Sequence, residues 1–231
     1  MTILLNKNDI VVPGQLVAEN DDYKIESGIY KEGDKYLSQY VGVFLERKGS
    51  LLVRPLNGGY IPKVGDTVIG IVSDALLTSW KVQVGGPYIG ILLASNATER
   101  DFDPIRGDTR KIFATGDAIK AEVMKFDRTR DPQLTTRKRG LGKLVGGRLV
   151  DVSPNFIKRI IGRKGSMVNL IKKYTNCEIS VGYNGRIWIS GPTVEDELLA
   201  LSAIRRVEEE SHIEGLTKRI EEMLKNRSFD A

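Results

Sequence analysis

Three observations predict a multidomain protein, mainly β with an α/β module at its C-terminal end. Residues 1–62 are short apolar stretches separated by turn-forming residues. Residues 63–139 hold five strand candidates linked by glycine turns. Residues 140–231 change to helical periodicity around a basic loop, Gly162-Arg163-Lys164-Gly165. These three spans are read as a small N-terminal β domain, a barrel and a C-terminal α/β domain.

The first span has turn signals at Pro13-Gly14, Asn20-Asp21-Asp22, Glu32-Gly33-Asp34 and Asn57-Gly58-Gly59. Between them lie Ile10–Val12, Tyr40–Leu45 and Leu51–Val53, a pattern of short strands. It carries no cluster of catalytic residue types and almost no net charge.

Pro62-Lys63-Val64-Gly65-Asp66 opens the second span, with strands expected at Thr67–Val72, Ser79–Val84, Tyr88–Ala94, Ile119–Phe126 and Gln133–Thr136. Trp80, Val82 and Val84 alternate with Lys81 and Gln83, and Ile119, Ala121 and Val123 with Lys120, Glu122 and Met124. Five such strands suit a closed OB-type barrel, an architecture that often binds nucleic acid. The connection from Ser95 to Asp117 is long for a compact domain, and such loops are usually functional. It carries Arg100, Arg106, Arg110 and Lys111 beside Glu99, Asp101, Asp103 and Asp108.

A glycine-rich hinge, Gly140 to Gly147, leads into the third span. Its pattern reads strand (Leu149–Val152), helix (Pro154–Ile161), loop, helix (Ser166–Tyr174), strand (Glu178–Val181), strand (Arg186–Ser190) and helix (Val194–Glu210). Ser153-Pro154 is a cap followed by an N1 proline, and Thr193 with Asp196 resembles a capping box. Asn184-Gly185 is a strong hairpin signal. A further amphipathic helix, marked by Leu216, Ile220, Met223 and Leu224, needs a partner: the domain's own core or another subunit.

The order βααββα with a G-x-x-G between the first two helices is that of a type I KH domain, which clamps a single-stranded nucleic-acid backbone. Phe156, Ile157, Ile160 and Ile161 mark an apolar helix face before the loop, and Met167, Leu170, Ile171 and Tyr174 one after it. Without Cβ atoms at Gly162 and Gly165, phosphates can approach main chain, where the next helix offers unpaired N–H groups. Arg163 and Lys164 are the expected phosphate contacts, with Lys158, Arg159, Lys172 and Lys173 adding attraction. Ile161 and Met167 are expected to wall an apolar groove for bases. On the barrel, Lys81, Arg100, Arg106, Arg110 and Lys111 are the RNA-binding candidates.

Charge distribution agrees. Residues 125–173 hold 14 Lys/Arg against three Asp, a net of +11, so the rest carries −6 of the overall +5. A basic centre of this kind is the footprint of a polyanion surface. The single cysteine, Cys177, excludes an internal disulfide framework and a cysteine-rich zinc site. No apolar run is long enough to span a bilayer, and the start of the chain lacks a signal-peptide pattern, so a cytoplasmic location is expected. No nucleophile-elbow, Walker or zinc-protease motif occurs, and the one histidine, His212, has no catalytic neighbour in sequence. Neither a catalytic residue, a cofactor nor a metal is expected. The acids Asp101, Asp103 and Asp108 alternate with arginines, which favours a salt-bridged loop over a metal-dependent nuclease centre.

Val12-Pro13-Gly14, Gly58-Gly59-Tyr60-Ile61-Pro62-Lys63-Val64-Gly65-Asp66 and Gly182-Tyr183-Asn184-Gly185-Arg186-Ile187-Trp188 make the chain resemble the S1/KH cap subunits of the RNA exosome over nearly its whole length. The last segment is the most specific, and the intact G-x-x-G points to the archaeal branch. The resemblance implies an S1-type barrel and a non-catalytic subunit. Three such subunits would cap a hexameric ring of phosphorolytic exoribonuclease subunits and thread the 3′ end of single-stranded RNA into it for 3′-to-5′ degradation. One departure stands out. S1-type barrels commonly carry aromatics and a histidine on their RNA face, but Leu93 occupies the histidine's place and Thr78 and Lys81 replace outer aromatics. The alternative reading is a free-standing S1/KH RNA-binding protein associated with translation.

Overall fold

Turn-forming residues cut the first part of the chain into eight short strands in the computed structural model, which describes residues 2–6, 8–19, 23–47, 49–55, 59–98, 108–127, 129–210 and 215–227. They are β1 (Thr2–Ile3), β2 (Ile10–Val11), β3 (Leu16–Glu19), β4 (Lys24–Ser27), β5 (Ile29–Glu32), β6 (Lys35–Ser38), β7 (Gly42–Arg47) and β8 (Ser50–Pro55). Two four-stranded sheets result, β1-β3-β6-β5 and β2-β7-β8-β4. Val11, Val17, Ile29, Tyr36, Phe44, Leu51 and Val53 form their core, where Tyr23 meets Tyr36 edge-to-face. The expected turns at Pro13-Gly14 and Gly33-Asp34 are present; those at 20–22 and 57–58 lie outside the described residues. These strands belong to one compact unit, Met1–Gly58, and everything from Gly59 to Ala231 to a second.

In the second unit the alternating strands close on themselves. β9 (Thr67–Ala75), β10 (Ser79–Gln83), β11 (Ile89–Leu93), β12 (Ala118–Asp127) and β13 (Arg130–Thr135) pair in the order β13-β11-β10-β9-β12, and β12 pairs again with β13. That circuit is an OB-like barrel. The inward residues predicted by alternation, including Trp80, Val82, Ile119, Ala121 and Val123, are buried with Val68, Leu92 and Leu134. Trp80 donates its indole N–H to the Phe113 carbonyl (2.9 Å), so the buried polar edge is satisfied. A short helix, α1 (Ala94–Ala97), follows β11.

The glycine-rich stretch 140–147 is not a free hinge. Its middle forms β14 (Gly142–Leu144), a sixth strand on β12 with Ala118 opposite Leu144 and Lys120 opposite Gly142. A three-residue strand flanked by glycines has no periodicity for a sequence pattern to reveal. Lys143 fixes it by an ion pair with Asp117 (2.6 Å). Burial on its own raises the Asp117 carboxyl, but Lys143 and the Ala114 N–H outweigh it and hold the carboxyl below its ordinary range. A depressed folded pKa gives stability that is present above the unfolded value and lost as pH falls through the folded one. Amide exchange of Gly142 and Leu144 should therefore speed up, relative to core amides of β9, as pH drops below about 4, after correction for intrinsic rates. Unchanged relative protection would show that Asp117 does not hold this strand.

The C-terminal part runs β15 (Arg148–Asp151), a 3-10 turn at Pro154–Phe156, α2 (Ile157–Ile161), a second 3-10 turn at Arg163–Gly165, α3 (Ser166–Thr175), β16 (Glu178–Val181), β17 (Arg186–Ser190), α4 (Val194–Glu209) and α5 (Leu216–Asn226). The sheet order is β15-β17-β16, all antiparallel. Thr193 caps α4 as expected, accepting from the Asp196 N–H. Ser153 does not cap: its side chain takes no hydrogen bond from the first turn, while its own N–H donates to Glu208 (2.9 Å). The final helix finds its partner within the domain. Leu216, Ile220, Met223 and Leu224 join the same core as Ile157, Ile171 and Ile204, and Tyr174 donates to Glu221 (2.9 Å).

Candidate nucleic-acid interface

Burial of Ile157 and Ile160 leaves Lys158 and Arg159 exposed on the short α2. Gly162 ends that helix at φ 73°, ψ 177°, a conformation restricted essentially to glycine. A Cβ there would lie 2.7 Å from the Met167 nitrogen. Lys164 (φ 52°) and Gly165 (φ 81°) are both left-handed, which turns the chain sharply before α3. Arg163 and Lys164 project from this turn, exposed and without an ion pair among the described residues. The N-cap of α3 is Gly165, which has no side chain to take up the first-turn N–H groups. First-turn N–H groups and the positive end of the helix dipole thus face the same side as two cations, an arrangement that attracts phosphate. From the loop, Asn169, Lys172 and Lys173 continue along α3, with Lys172 half-buried. Met167, expected in the groove wall, is 4% exposed and belongs to the core; as the second residue of α3 it joins Ile160 and Ile171 in the buried cluster. Ile161 is half-buried.

The hairpin between β16 and β17 fastens this loop-bearing domain to the barrel. Gly182 N–H donates to the Arg186 carbonyl (2.8 Å) and Gly185 N–H to that of Gly182, leaving a three-residue loop with left-handed Gly185. Asn184 itself is not left-handed, so its role is in the side chain. Its carboxamide accepts from the Ile69 N–H (3.1 Å) and donates to the Ile69 and Val84 carbonyls (2.7 and 2.6 Å). β10 stops pairing with β9 at Ile71, so the amide supplies the ladder partner that Ile69 lacks. Tyr183 N–H donates to Thr67 (2.7 Å) and Arg186 to the Gln83 carbonyl (2.6 Å). A Cβ on Gly182 would lie 2.2 Å from the Asn184 oxygen, so the residue there must be glycine.

On the barrel, Lys81 is exposed on the outer face of β10 with Asp74 and Ile91 as cross-strand neighbours. Ile89, Ile91 and Leu93 line the adjacent strand, an aliphatic row where a stacking surface needs rings. Tyr88 nearby is engaged edge-to-face with Phe126 (4.9 Å). Arg110 and Lys111 are exposed on a 3-10 turn capped by Asp108, which Thr109 ties to the Leu76 carbonyl (2.8 Å). No group of three or more His, Cys, Asp or Glu side chains fit to hold a metal occurs among the described residues.

Comparison with known proteins agrees with this geometry. A family profile for the exosome RNA-binding protein RRP4 N-terminal domain matches residues 8–57, and a KH domain profile matches residues 147–195. The exosome complex component Rrp4 of Thermococcus kodakarensis is 41% identical over 227 residues, covering 97% of this chain and 88% of that one. The chain belongs to the Rrp4 family. Another Rrp4, from Ignisphaera aggregans, is 39% identical over 233 residues. A solved structure of an exosome complex RNA-binding protein superposes with a TM-score of 0.67 at 38% identity, covering 74% of this chain and 97% of that one.

In this Rrp4-family chain the expected RNA residues fall into separate groups. Lys158, Arg159, Gly162, Arg163, Lys164 and Gly165 are brought together around one loop. Arg110 and Lys111 share a turn at the Leu76 end of the barrel, and Lys81 stands on the β10 face. Arg100 and Arg106, with Asp101 and Asp103, lie outside the described residues. Sequence reasoning missed the part played by Asn184. Only the structure reveals it: Gly185 supplies the left-handed residue of the turn, and the buried Asn184 side chain serves another purpose.

Proposed function

We propose that this chain is the non-catalytic, RNA-binding cap subunit of an archaeal exosome, acting in the cytoplasm. Three copies sit on a hexameric ring of phosphorolytic exoribonuclease subunits, capture single-stranded RNA and pass its 3′ end inward. The observation that carries this reading is the uncapped head of α3 beside Arg163 and Lys164, in a domain fastened to a barrel by Asn184. An exposed basic clamp on a rigid support suits capture, and Lys81 with Arg110 and Lys111 adds sequence-independent attraction on the barrel. The aliphatic row on β11 favours passage over base-by-base stacking.

The test is RNA decay with labelled oligoadenylate. The purified chain alone should leave the RNA intact with either phosphate or Mg²⁺. Mixed with ring subunits, it should co-elute with them and accelerate phosphate-dependent shortening. Cleavage by the chain alone, or failure to associate with the ring, would overturn the reading.

A further inference from the structure

Lys120, Glu122 and Met124 share the outer face of β12, because Ile119, Ala121 and Val123 point into the barrel. One end of that face lies beside β9, the strand against which β16 and β17 of the C-terminal domain pack. Ile69, the cross-strand neighbour of Lys120, holds the Asn184 carboxamide and is fully buried although it is not among the barrel-core residues. Burial, and then Lys172, push the Lys120 pKa below its ordinary value against the pull of Glu178. Burial is the main penalty on the Lys120 charge, and a phosphate beside the ammonium would offset it together with Glu178.

The other end of the face opens into a cavity of about 400 Å³. Val64 and Met124 form apolar walls, Asn96 and Thr135 supply polar groups, and Arg137 and Lys138 line it. The Arg137 Nε donates to the Thr98 carbonyl (3.1 Å), which fixes the guanidinium while leaving its terminal nitrogens available. Lys138 pairs with Glu122, the acidic side chain among the described residues lining the cavity, and offsets its charge. Apolar walls, a few polar groups and a cationic rim in a cavity of this size match a small-ligand site, and a nucleotide has that chemistry.

From Ser166 to Lys172 is about 9 Å along α3, and from Lys120 to Met124 about 13 Å along β12. We propose that single-stranded RNA held at the Gly162–Gly165 loop runs along α3, crosses the Lys172–Lys120 junction and seats a nucleotide in the cavity between Met124 and Arg137. The barrel's principal contact surface is then the β12 face, continuous with the loop, and the aliphatic β10–β11 face is secondary. This extension rests on the RNA-binding reading above.

Affinity as a function of RNA length tests it, using fluorescent oligouridines of about 4 and 10 nucleotides with the full chain. A KH loop spans about four nucleotides, so only the longer RNA reaches the cavity. The parent should bind the longer RNA more tightly. Lys120→Ala with Arg137→Ala should lose roughly tenfold on the longer RNA, the scale of one or two charge contacts, and nothing on the shorter. Met124→Glu, a substitution at a half-exposed position, should act the same way through repulsion, with unchanged thermal unfolding as the folding control. Retention of the length gain by both variants, or a parent with no length gain, would overturn the track. A parent that binds neither oligonucleotide would instead overturn the RNA-binding reading itself.

Discussion

Replacing Asn184 with alanine is expected to destabilise the Gly59–Ala231 unit by about 3 kcal/mol or more. Three buried main-chain groups, the Ile69 N–H and the Ile69 and Val84 carbonyls, lose their partners at once. Each buried group left unpaired costs about 1–3 kcal/mol. For a unit of this size that lowers the unfolding midpoint by roughly 6–12 °C in calorimetry. It should also split the transition: with the hairpin unfastened, the barrel and the helical domain have less reason to unfold together. Asn184→Asp gives a sharper signature. One carboxylate oxygen still accepts from Ile69, but the other faces two carbonyls and is tolerated only as a protonated O–H. The folded pKa of that aspartate is then raised, so its stability contribution is present at low pH and lost as pH rises through the folded value. The deficit of the aspartate variant relative to the parent should be largest near pH 7 and shrink toward about pH 4. A midpoint within a degree or so of the parent for the alanine variant would mean that the hairpin does not hold the two parts together.

The parts of the fold that were legible in the sequence share a physical property: one side of each element is buried. Trp80, Val82, Ile119, Ala121 and Val123 are inward on two barrel strands, and Ile157, Ile160 and Ile171 on two helices, so periodicity marked them. The strands β4 and β5 are exposed at nearly every residue, and β14 is three residues long between glycines; neither leaves a period to detect. Asn184-Gly185 marked the hairpin correctly but not the asparagine's second role. Asn-Gly is the usual sign of a two-residue turn, but here Gly185 alone is left-handed and the asparagine reaches across to another strand ladder. Local sequence cannot distinguish an asparagine chosen for its backbone from one chosen for a partner 115 residues away. At the candidate interface, the Gly162–Gly165 loop was visible because its glycines and cations are adjacent. The outer face of β12 was also visible as the alternating Lys120, Glu122 and Met124, but the approach of Arg137 to Met124 was not, because the barrel alone brings these strands together.

Arg163→Asp with Lys164→Asp should abolish most of the loop's hold on RNA without harming the fold. Neither side chain has an ion-pair partner among the described residues, so no structural contact is removed. Lys164 is left-handed, a conformation aspartate adopts more readily than lysine. An aspartate at 163, just before α3, faces the positive end of that helix and is favourable there. Thermal stability should therefore stay level or rise slightly. Binding responds in the opposite direction, because two phosphate contacts are lost and two like charges replace them. For single-stranded RNA each phosphate contact adds about 0.7 to the slope of log K against log salt, so the variant's slope should be shallower by about 1.4. The affinity gap between parent and variant should consequently be widest at low salt and narrow as salt is raised. Fluorescence anisotropy titrations with a labelled oligouridine across a salt series measure both quantities. An unaltered slope in a folded variant would show that RNA bypasses the loop and is held by the barrel alone. A uniform loss at every salt concentration would point instead to a displaced α3, because a charge contact weakens as salt screens it and a packing change does not.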